Sequence, residues 1–527
     1  MKLSLSSANV KIFSEADIVK IKNAQCLRNE GFGFQVFIQD VKTGVYDVKV
    51  KSELCVEKFE VLFKQGNYDK NNKTDDFYLK PDDDKYPELL LPIDKMVCEK
   101  DGAKTLYFYI PETDKIPGIY EISILVGTEE VTFELTILDV ELVKNDLIVT
   151  HWFHNDGICN YFGVKPFSEE YYFHFKNFLE AYVRMGNTML LIPMFTPPLD
   201  TEVGKERLTT QLVKVYKEGN AYRFDFSEMK KYIGLAKSYG IEYFELSHLF
   251  TQWGGEYCPK IIVEENGEEK KLFGWETAST DEAYLGFLKC FFEKLNLFLE
   301  TEGIKENTYM HLTDEPNDKH IEKYAELSRF VKENNYGVKT MDALSHYELV
   351  EKAKIDLPAV ATTSDDMELF ANMRKLLYYA TGGDRRCLTN RYFHMPLIRT
   401  EIWGMQLYRE NVQGFLHWGY NFYNLALSKG ALNPYEDATA GGAFEAGDPF
   451  VVYPAEKGVN YSIRYFALKK AFEDYRLLKT LEVRVGRANV EQLLTKYGVI
   501  DLENYPHEVE VYEALRAECY TILNAKD

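Results

Sequence analysis

Two adjacent carboxylates, Asp314 and Glu315, follow a short β-prone run and precede Pro316. Two acids in one cleft cannot both ionise freely, because like-charge repulsion and desolvation raise the pKa of one of them. A carboxylic acid that keeps its proton near neutral pH can protonate a leaving group, while its ionised neighbour orients a substrate or stabilises positive charge. The residue before a proline favours an extended conformation, which suits Glu315 to the end of a strand. The alternative is that both acids only cap the next helix.

The overall composition narrows the range of partners. The 527 residues are 46% apolar and 14% aromatic, enough to bury large cores in two or three domains. The net charge is -21 and no basic block stands out, so we expect no nucleic acid partner. No uninterrupted apolar stretch approaches about 18 residues, so we expect no membrane partner either.

The cysteines and the first residues of the sequence indicate where in the cell the protein is expected. Eight cysteines are scattered without a CxxC pair, which argues against structural zinc and fits reduced thiols. The first residues lack the apolar run and small-residue cleavage site of a signal peptide. We therefore expect a cytoplasmic protein. Nothing in the sequence indicates its oligomeric state.

In the first part of the chain, apolar residues alternate with other residues along the sequence, as they do in β-strands. Phe32, Phe34 and Val36 alternate with Gly33 and Gln35, and similar runs follow, separated by polar or Gly/Pro turns. Runs of period two at this spacing indicate an antiparallel β-sandwich. We find no chemical constellation in it and expect it to pack against the next domain.

From about residue 144, apolar runs alternate with amphipathic helical stretches. The pattern predicts eight strands, at residues 147–153, 188–195, 242–250, 309–313, 338–343, 359–362, 388–394 and 414–420. Eight strands with intervening helices indicate an α/β fold, a (β/α)8 TIM barrel. The competing doubly wound sheet would usually show a Gly-rich turn after strand one, which is not found here. The predicted domains are a β-sandwich (1–143), a catalytic barrel (144–482) and a C-terminal helical tail (483–527).

Polar and aromatic residues follow the same ends of several predicted strands. In such barrels the active site forms at the C-terminal ends of the strands, where Asp314 and Glu315 end strand four. An Asn-Gly hairpin at residues 263–268 would bring Trp253 and Trp275 towards the cleft mouth. Indole faces suit the C–H faces of a pyranose, whereas charged side chains bond its hydroxyls. The substrate-binding residues predicted on this basis are Trp152, His154, Asp156, Trp253, Trp275, Asp342, Arg391, Tyr392, Trp418 and Tyr420.

His151, His154 and Asp156 together suggest a metal triad. Residues three apart on a strand point to opposite faces, so one of the two histidines should face away. We therefore expect no metal site, and no cofactor.

At these residues the chain resembles glycoside hydrolase family 123 and the barrel proteins related to it. The similar stretches run in order over most of residues 146–480, and the sandwich ahead of the barrel matches the family's layout. Asp448, in one of them, is added to the predicted substrate-binding residues. These stretches are residues 151–154, 250–255, 273–277, 314–316, 447–454, 462–464 and 473–475.

The resemblance implies an exo-acting β-N-acetylgalactosaminidase with a retaining, substrate-assisted mechanism. The 2-acetamido oxygen of the substrate would attack the anomeric carbon and form an oxazoline-type intermediate. By the match of motifs, Asp314 orients the acetamide N–H and stabilises the charge it gains. Glu315 protonates the leaving oxygen and then acts as base on water. The implied partner is an oligosaccharide that contains N-acetylhexosamine.

Two other functions stay open. One is a glycosidase for β-GlcNAc or a non-acetamido hexose, with Glu315 as acid and a carboxylate from another strand, such as Asp342, as nucleophile or base. The other is a non-catalytic saccharide-binding protein built on a degenerate barrel.

Overall fold

Ten strands form a β-sandwich at the start of the chain. The structure is a computed structural model that describes residues 1–21, 24–67, 77–112, 116–379 and 387–525. One sheet has the order β1-β3-β8-β5-β6 and the other the order β2-β10-β9-β4-β7, and a single apolar core joins them. The strands are β1 (Lys2–Ser7), β2 (Ala24–Arg28), β3 (Phe32–Val41), β4 (Gly44–Lys51), β5 (Glu57–Gln65), β6 (Lys85–Pro92), β7 (Lys95–Cys98), β8 (Gly102–Ile110), β9 (Gly118–Val126) and β10 (Glu129–Glu141).

Strands then alternate with helices. In chain order these elements are β11 (Ile148–His151), α1 (Asn155–Phe162), α2 (Glu169–Arg184), β12 (Met189–Ile192), β13 (Lys214–Glu218), β14 (Ala221–Asp225), α3 (Ser227–Ser238), β15 (Tyr243–Leu246), β16 (Ile261–Glu265), β17 (Glu268–Phe273), α4 (Glu282–Thr301), β18 (Thr308–His311), α5 (Ile321–Asn334), β19 (Lys339–Leu344), α6 (Tyr347–Ala353), β20 (Leu357–Ala361), β21 (Leu376–Tyr378), α7 (Ile398–Glu401), α8 (Trp403–Arg409) and β22 (Gly414–His417).

Eight of these strands form one parallel sheet, in the order β11-β22-β21-β20-β19-β18-β15-β12. Its two end strands approach each other where the N–H of Thr188 donates to the carbonyl of Val149 (3.0 Å). The sheet is therefore a nearly closed barrel, filled by side chains such as Met189, Leu191 and Ala359. The predicted fold, a (β/α)8 barrel preceded by an antiparallel sandwich, is confirmed.

The predicted position of strand seven was wrong. That strand is β21, whereas residues 388–394 form neither helix nor strand. Their β-prone side chains are buried in a loop, where the N–H of Phe393 donates to the carbonyl of Ala446 (2.9 Å). Arg391 and Tyr392 consequently do not lie on a barrel strand.

A second connection joins the sandwich and the barrel. After the barrel, the hairpin of β23 (Val452–Pro454) and β24 (Val459–Ser462) pairs with β6 and extends the first sandwich sheet. The helix α9 (Ile463–Val485) follows, with the Ser462 hydroxyl accepting from the N–H of Tyr465 (3.0 Å) as N-cap. Arg464 on α9 binds Glu88 on β6. The C-terminal tail consists of α10 (Arg487–Lys496) and α11 (Val509–Asn524).

None of the helices formed by the described residues is long and apolar enough to cross a membrane.

Candidate active site

A cleft with about 660 Å³ of empty space, part of it open to solvent, lies at the C-terminal ends of the barrel strands. It brings together Asp314, Glu315 and four of the predicted substrate-binding residues: Trp152, His154, Trp253 and Trp418. Its other lining residues are Leu199, Asp200, Gln252, Ala343, Tyr378, Tyr379, Leu416 and Phe444.

The backbone holds the two acids on both sides. Just beyond β18, the Asp314 carbonyl accepts from the N–H of Trp253 (2.7 Å), and the N–H of Glu315 donates to the carbonyl of Ala343 (3.1 Å). Glu315 has a left-handed backbone with φ 47°, not the extended conformation that Pro316 predicts. Such a conformation costs on the order of 1–3 kcal/mol and persists only where the surroundings impose it.

Burial raises the pKa of both carboxyls. For Asp314 the pKa lies well above its usual range, because the charge of Glu315 adds to the effect of burial. Burial also raises the pKa of Glu315, while a hydrogen bond from the Tyr378 hydroxyl to its Oε1 (3.0 Å) lowers it. Glu315 nevertheless remains open to solvent in the cleft. Each of the two carboxyls is therefore suited to keep its proton to a higher pH than a free carboxyl does.

A buried charged network lies beneath the pair. His311 Nδ1 is 2.7 Å from Oε1 of Glu245, and its Nε2 is 3.2 Å from Oδ1 of Asp342. Glu245 also accepts from the indole N–H of Trp152 (2.9 Å). Burial alone would lower the pKa of His311, but the hydrogen bonds and charges of the two carboxylates raise it to about 10. His311 is thus an imidazolium at neutral pH.

The Asp342 side chain lies outside the cleft lining and is fully buried. Its Oδ2 accepts from the N–H of Thr313 (3.0 Å), the Thr313 hydroxyl (2.9 Å) and the Tyr324 hydroxyl (2.9 Å). Since Oδ1 faces His311, both oxygens of Asp342 are already engaged.

One cleft wall is fixed by His154 and Asp156. Arg207 makes two hydrogen bonds to the Asp156 carboxylate (2.7 and 3.0 Å), and its Nη2 donates to Nδ1 of His154 (3.1 Å). Burial and the Arg207 charge lower the pKa of His154 to about 4. The neutral ring therefore carries its hydrogen on Nε2 and donates to the carbonyl of Trp418 (2.8 Å). Asp156 supports this wall from behind and does not line the cleft.

Trp253 projects from the cleft mouth, 44% exposed, on a tight turn. Its φ is 59°, and Gly254 and Gly255 after it also have positive φ. A side chain at Gly255 would come within 2.8 Å of Thr313 Cγ2. The turn is therefore packed directly against the segment that carries the acids.

The remaining predicted residues lie away from the cleft. The Tyr420 ring stacks on Phe153 in the core, and its hydroxyl donates to the carbonyl of Phe178 (2.9 Å). Arg391 donates to the carbonyl oxygens of Gly419 and Asp448. The residues outside the cleft lining are Asp156, Trp275, Asp342, Arg391, Tyr392, Tyr420 and Asp448.

Sequence reasoning missed several cleft residues, above all Asp200 and Tyr378. Asp200 follows β12 in a loop, where its Oδ2 accepts from the N–H of Leu427 (2.8 Å) and burial raises its pKa. Tyr378 is the last residue of β21, the strand that the sequence pattern had predicted at residues 388–394. The apolar run before Tyr378 and the Pro-Pro-Leu-Asp turn at 197–200 are the signals that could have found them.

Among the described residues, no group of His, Cys, Asp and Glu is arranged to hold a metal ion. What remains in the cleft is a pair of adjacent acids with raised pKa among indole and phenol side chains. A barrel with this site at its strand ends has the architecture of a glycoside hydrolase.

Comparison with known proteins identifies the family. The model for the glycoside hydrolase 123 catalytic domain matches residues 152–481, more than half of the chain. This chain therefore belongs to glycoside hydrolase family 123, and a carbohydrate is its substrate.

The fold agrees with that assignment. A solved family 123 glycoside hydrolase from Clostridium perfringens, studied for glycolipid glycan hydrolysis, superposes with a TM-score of 0.73 at 17% identity, covering 99% of this chain and 97% of that one. A family 5 mannosidase from Rhizomucor miehei has 10% identity and a TM-score of 0.33, covering 65% of this chain and 95% of its own, too low to carry an argument. No curated protein matches the chain.

Proposed function

We propose that this glycoside hydrolase removes terminal, non-reducing β-linked N-acetylgalactosamine, with retention and through the 2-acetamido group of the substrate. The observation that carries the proposal is that Asp314 and Glu315 are consecutive residues that both line the cleft. A conventional retaining pair places a nucleophile and an acid on opposite sides of the glycosidic bond. Two neighbouring acids suit a reaction in which the substrate supplies its own nucleophile.

We infer that the pair holds one proton when the substrate binds, and the position of that proton sets the roles of the two acids. An acetamide N–H that donates to Asp314 favours the ionised form of Asp314 and leaves the proton on Glu315. The acetamido oxygen then attacks C1, the C1–O bond to the aglycone breaks, and the Glu315 proton passes to the leaving oxygen. Water adds to C1 in the second step, its proton returns to Glu315, and the oxazoline ring opens.

The cleft walls supply the remaining recognition. Trp418 and Trp152 are indoles at the cleft, and we propose that Trp418 walls the acetamide or the sugar ring. Indole and phenol faces pack against sugar C–H groups while leaving the hydroxyls accessible. Replacing Trp418 with Ala should raise KM. An unchanged KM would show that Trp418 does not contact the acetamide or the sugar ring.

A conventional glycosidase is the second candidate, and Asp200 is the observation that favours it. Asp342, the carboxylate named from sequence, has both oxygens engaged and does not reach the cleft. Asp200 does line the cleft, so it is the carboxylate that would act as nucleophile or base, with Glu315 as acid. Such an enzyme would cleave sugars without an acetamide and would be insensitive to a thiazoline inhibitor.

A panel of p-nitrophenyl glycosides tests the proposal. The purified protein is assayed with the β-GalNAc, β-GlcNAc and β-galactoside derivatives, and with glycolipid oligosaccharides ending in β-GalNAc because the Clostridium perfringens relative is described with glycolipid glycans. We expect cleavage of β-GalNAc and none of β-galactoside. Cleavage of β-galactoside alone would favour Asp200 as nucleophile, and saccharide binding without hydrolysis would favour the non-catalytic alternative.

We also propose a cytoplasmic location, because none of the eight cysteines forms a disulfide bond among the described residues, and five of them are buried with a raised pKa. Cell fractionation tests it, and recovery outside the cytoplasm would contradict it.

A further inference from the structure

We propose that Glu245, His311 and Asp342, here called the His311 triad, form a positioning unit that holds a fixed positive charge beneath Asp314 and sets the pH range in which the acid pair works. This inference rests on the proposed roles of Asp314 and Glu315. None of the three triad residues lines the cleft, so each acts through the acids and not on the substrate.

The contacts of His311 define its charge. Each ring nitrogen lies within hydrogen-bond distance of a carboxylate, at 2.7 Å from Glu245 and 3.2 Å from Asp342. A carboxylate only accepts hydrogen bonds, so a ring held between two carboxylates carries a hydrogen on both nitrogens, as an imidazolium does. All three side chains are fully buried, which makes these interactions strong and poorly screened.

The triad is connected to the cleft at both ends. At one end, Asp342 binds the backbone N–H of Thr313, the residue before Asp314. At the other end, Glu245 binds the indole N–H of Trp152, which lines the cleft. The triad therefore fixes the segment that carries the acids and one wall of the cleft at the same time.

The charges around His311 act on Asp314 in opposite directions. His311 favours the ionised form of Asp314, whereas Glu245, Asp342 and Glu315 oppose it. His248 is another titratable group that faces His311, and the centroids of the two stacked rings are 3.9 Å apart. Burial and the His311 charge hold the pKa of His248 well below its usual range, so His248 contributes no charge.

These opposite signs give a test that a purely structural role would not satisfy. His311→Gln removes the positive charge, so the acidic limb of the kcat/KM profile should shift to higher pH. Glu245→Gln removes a negative charge while the amide oxygen still accepts from Trp152, so the same limb should shift to lower pH. We expect kcat of His311→Gln at the wild-type optimum to fall by about 10²-fold, as misplaced catalytic groups do.

The matched control is His248→Phe. His248 is as buried as His311, and within the described part of the chain neither of its ring nitrogens has a hydrogen-bond partner. Its replacement changes ring chemistry at the same depth without removing a charge, so the acidic limb should stay in place. Equal shifts in His248→Phe and His311→Gln, or shifts of one sign in His311→Gln and Glu245→Gln, would overturn the proposal.

A second measurement does not depend on activity or on the variants being fully stable. Nitrogen NMR of the labelled wild-type protein reports the ionisation of each histidine ring, and His311 should remain an imidazolium up to pH 8. A neutral His311 ring at pH 7 would overturn the positioning role. If the wild-type protein cleaves another glycoside of the panel, the proposed specificity fails, and the three pH profiles on that glycoside still decide the role of the triad.

Discussion

Two carboxylate sites of this protein differ in how their charge is compensated. At the junction of sandwich and barrel, both oxygens of Glu88 are bound by the Arg464 fork (2.6 and 2.9 Å), and the Tyr453 hydroxyl adds a third hydrogen bond (3.2 Å). In the cleft, Glu315 accepts one hydrogen bond, from Tyr378, and among the described residues neither Asp314 nor Glu315 forms an ion pair.

The difference separates structural acids from acids able to do chemistry. The bidentate Arg464 compensates the charge of the Glu88 carboxylate and links the sandwich to the barrel. Carboxyls left without an ion-pair partner in a partly desolvated cleft keep a proton at higher pH, at a cost in stability. His311 is a cation that acts on Asp314, but its two ring nitrogens are engaged by Glu245 and Asp342.

The largest expected effect is the loss of the proton donor in Glu315→Gln. Turnover of substrates with poor leaving groups should fall by about 10²–10⁴-fold, the usual contribution of a general acid. An activated aryl leaving group should suffer less, and KM should change little. Steady-state kinetics with both kinds of substrate measure this, with Glu121→Gln on the exposed face of β9 as control. Unchanged activity of Glu315→Gln would show that Glu315 is not the general acid.

Asp314→Asn should lower kcat on acetamido sugars by about 10²–10³-fold, because the amide cannot stabilise the charge gained by the acetamide. Asp200→Asn is the matched control, since Asp200 lines the same cleft and binds the backbone of Leu427. We expect a much smaller loss there. A larger loss in Asp200→Asn than in Asp314→Asn would contradict the role of Asp314 and favour Asp200 as the nucleophile.

At the Glu88–Arg464 pair, the substitution Arg464→Met should lower the free energy of unfolding. It leaves the Glu88 charge buried without its partner, which costs about 3–5 kcal/mol in the free energy of unfolding. Denaturant unfolding measures this cost. The double variant Glu88→Gln with Arg464→Met should recover part of it, because no charge is then left unpaired. A single variant as stable as the wild type would show that the junction does not depend on this pair.

The smallest effect is expected from Tyr378→Phe. The Tyr378 hydrogen bond lowers the pKa of Glu315, so its removal raises that pKa. Because Glu315 must be protonated to act as acid, the basic limb of the pH profile should move to higher pH. Tyr379→Phe is the control, since within the described residues the Tyr379 hydroxyl has no hydrogen-bond partner. A shift to lower pH in Tyr378→Phe would contradict the role of Glu315.

Sequence reasoning placed the acids but not the whole cleft. Seven of the eight barrel strands were predicted, since buried parallel strands such as Met189–Ile192 are continuous apolar runs. Strand seven has only the three residues Leu376–Tyr378, too short a signal against the longer β-prone run at 388–394. Arg391 and Tyr392 were therefore assigned to the rim, while Tyr378 was overlooked.

Loop conformation was the second limit. The left-handed backbone of Glu315 and the position of Asp200 depend on contacts between loops of different strands, which periodicity does not encode. The hairpin was predicted from Asn-Gly, and it forms with φ 57° at Asn266 and 85° at Gly267. A turn formed by neighbouring residues could thus be predicted from the sequence, whereas the packing of distant loops against one another could not.

The central claim, that the substrate supplies its own nucleophile, is tested most directly by weakening that nucleophile. Hydrolysis is compared for p-nitrophenyl β-GalNAc and for its mono-, di- and trifluoroacetamido analogues at the pH optimum. Each fluorine withdraws electrons from the acetamido oxygen, so we predict that kcat/KM falls steeply along the series while the leaving group stays constant. A rate that is the same across the series would contradict the account and assign the attack on C1 to a carboxylate of the protein.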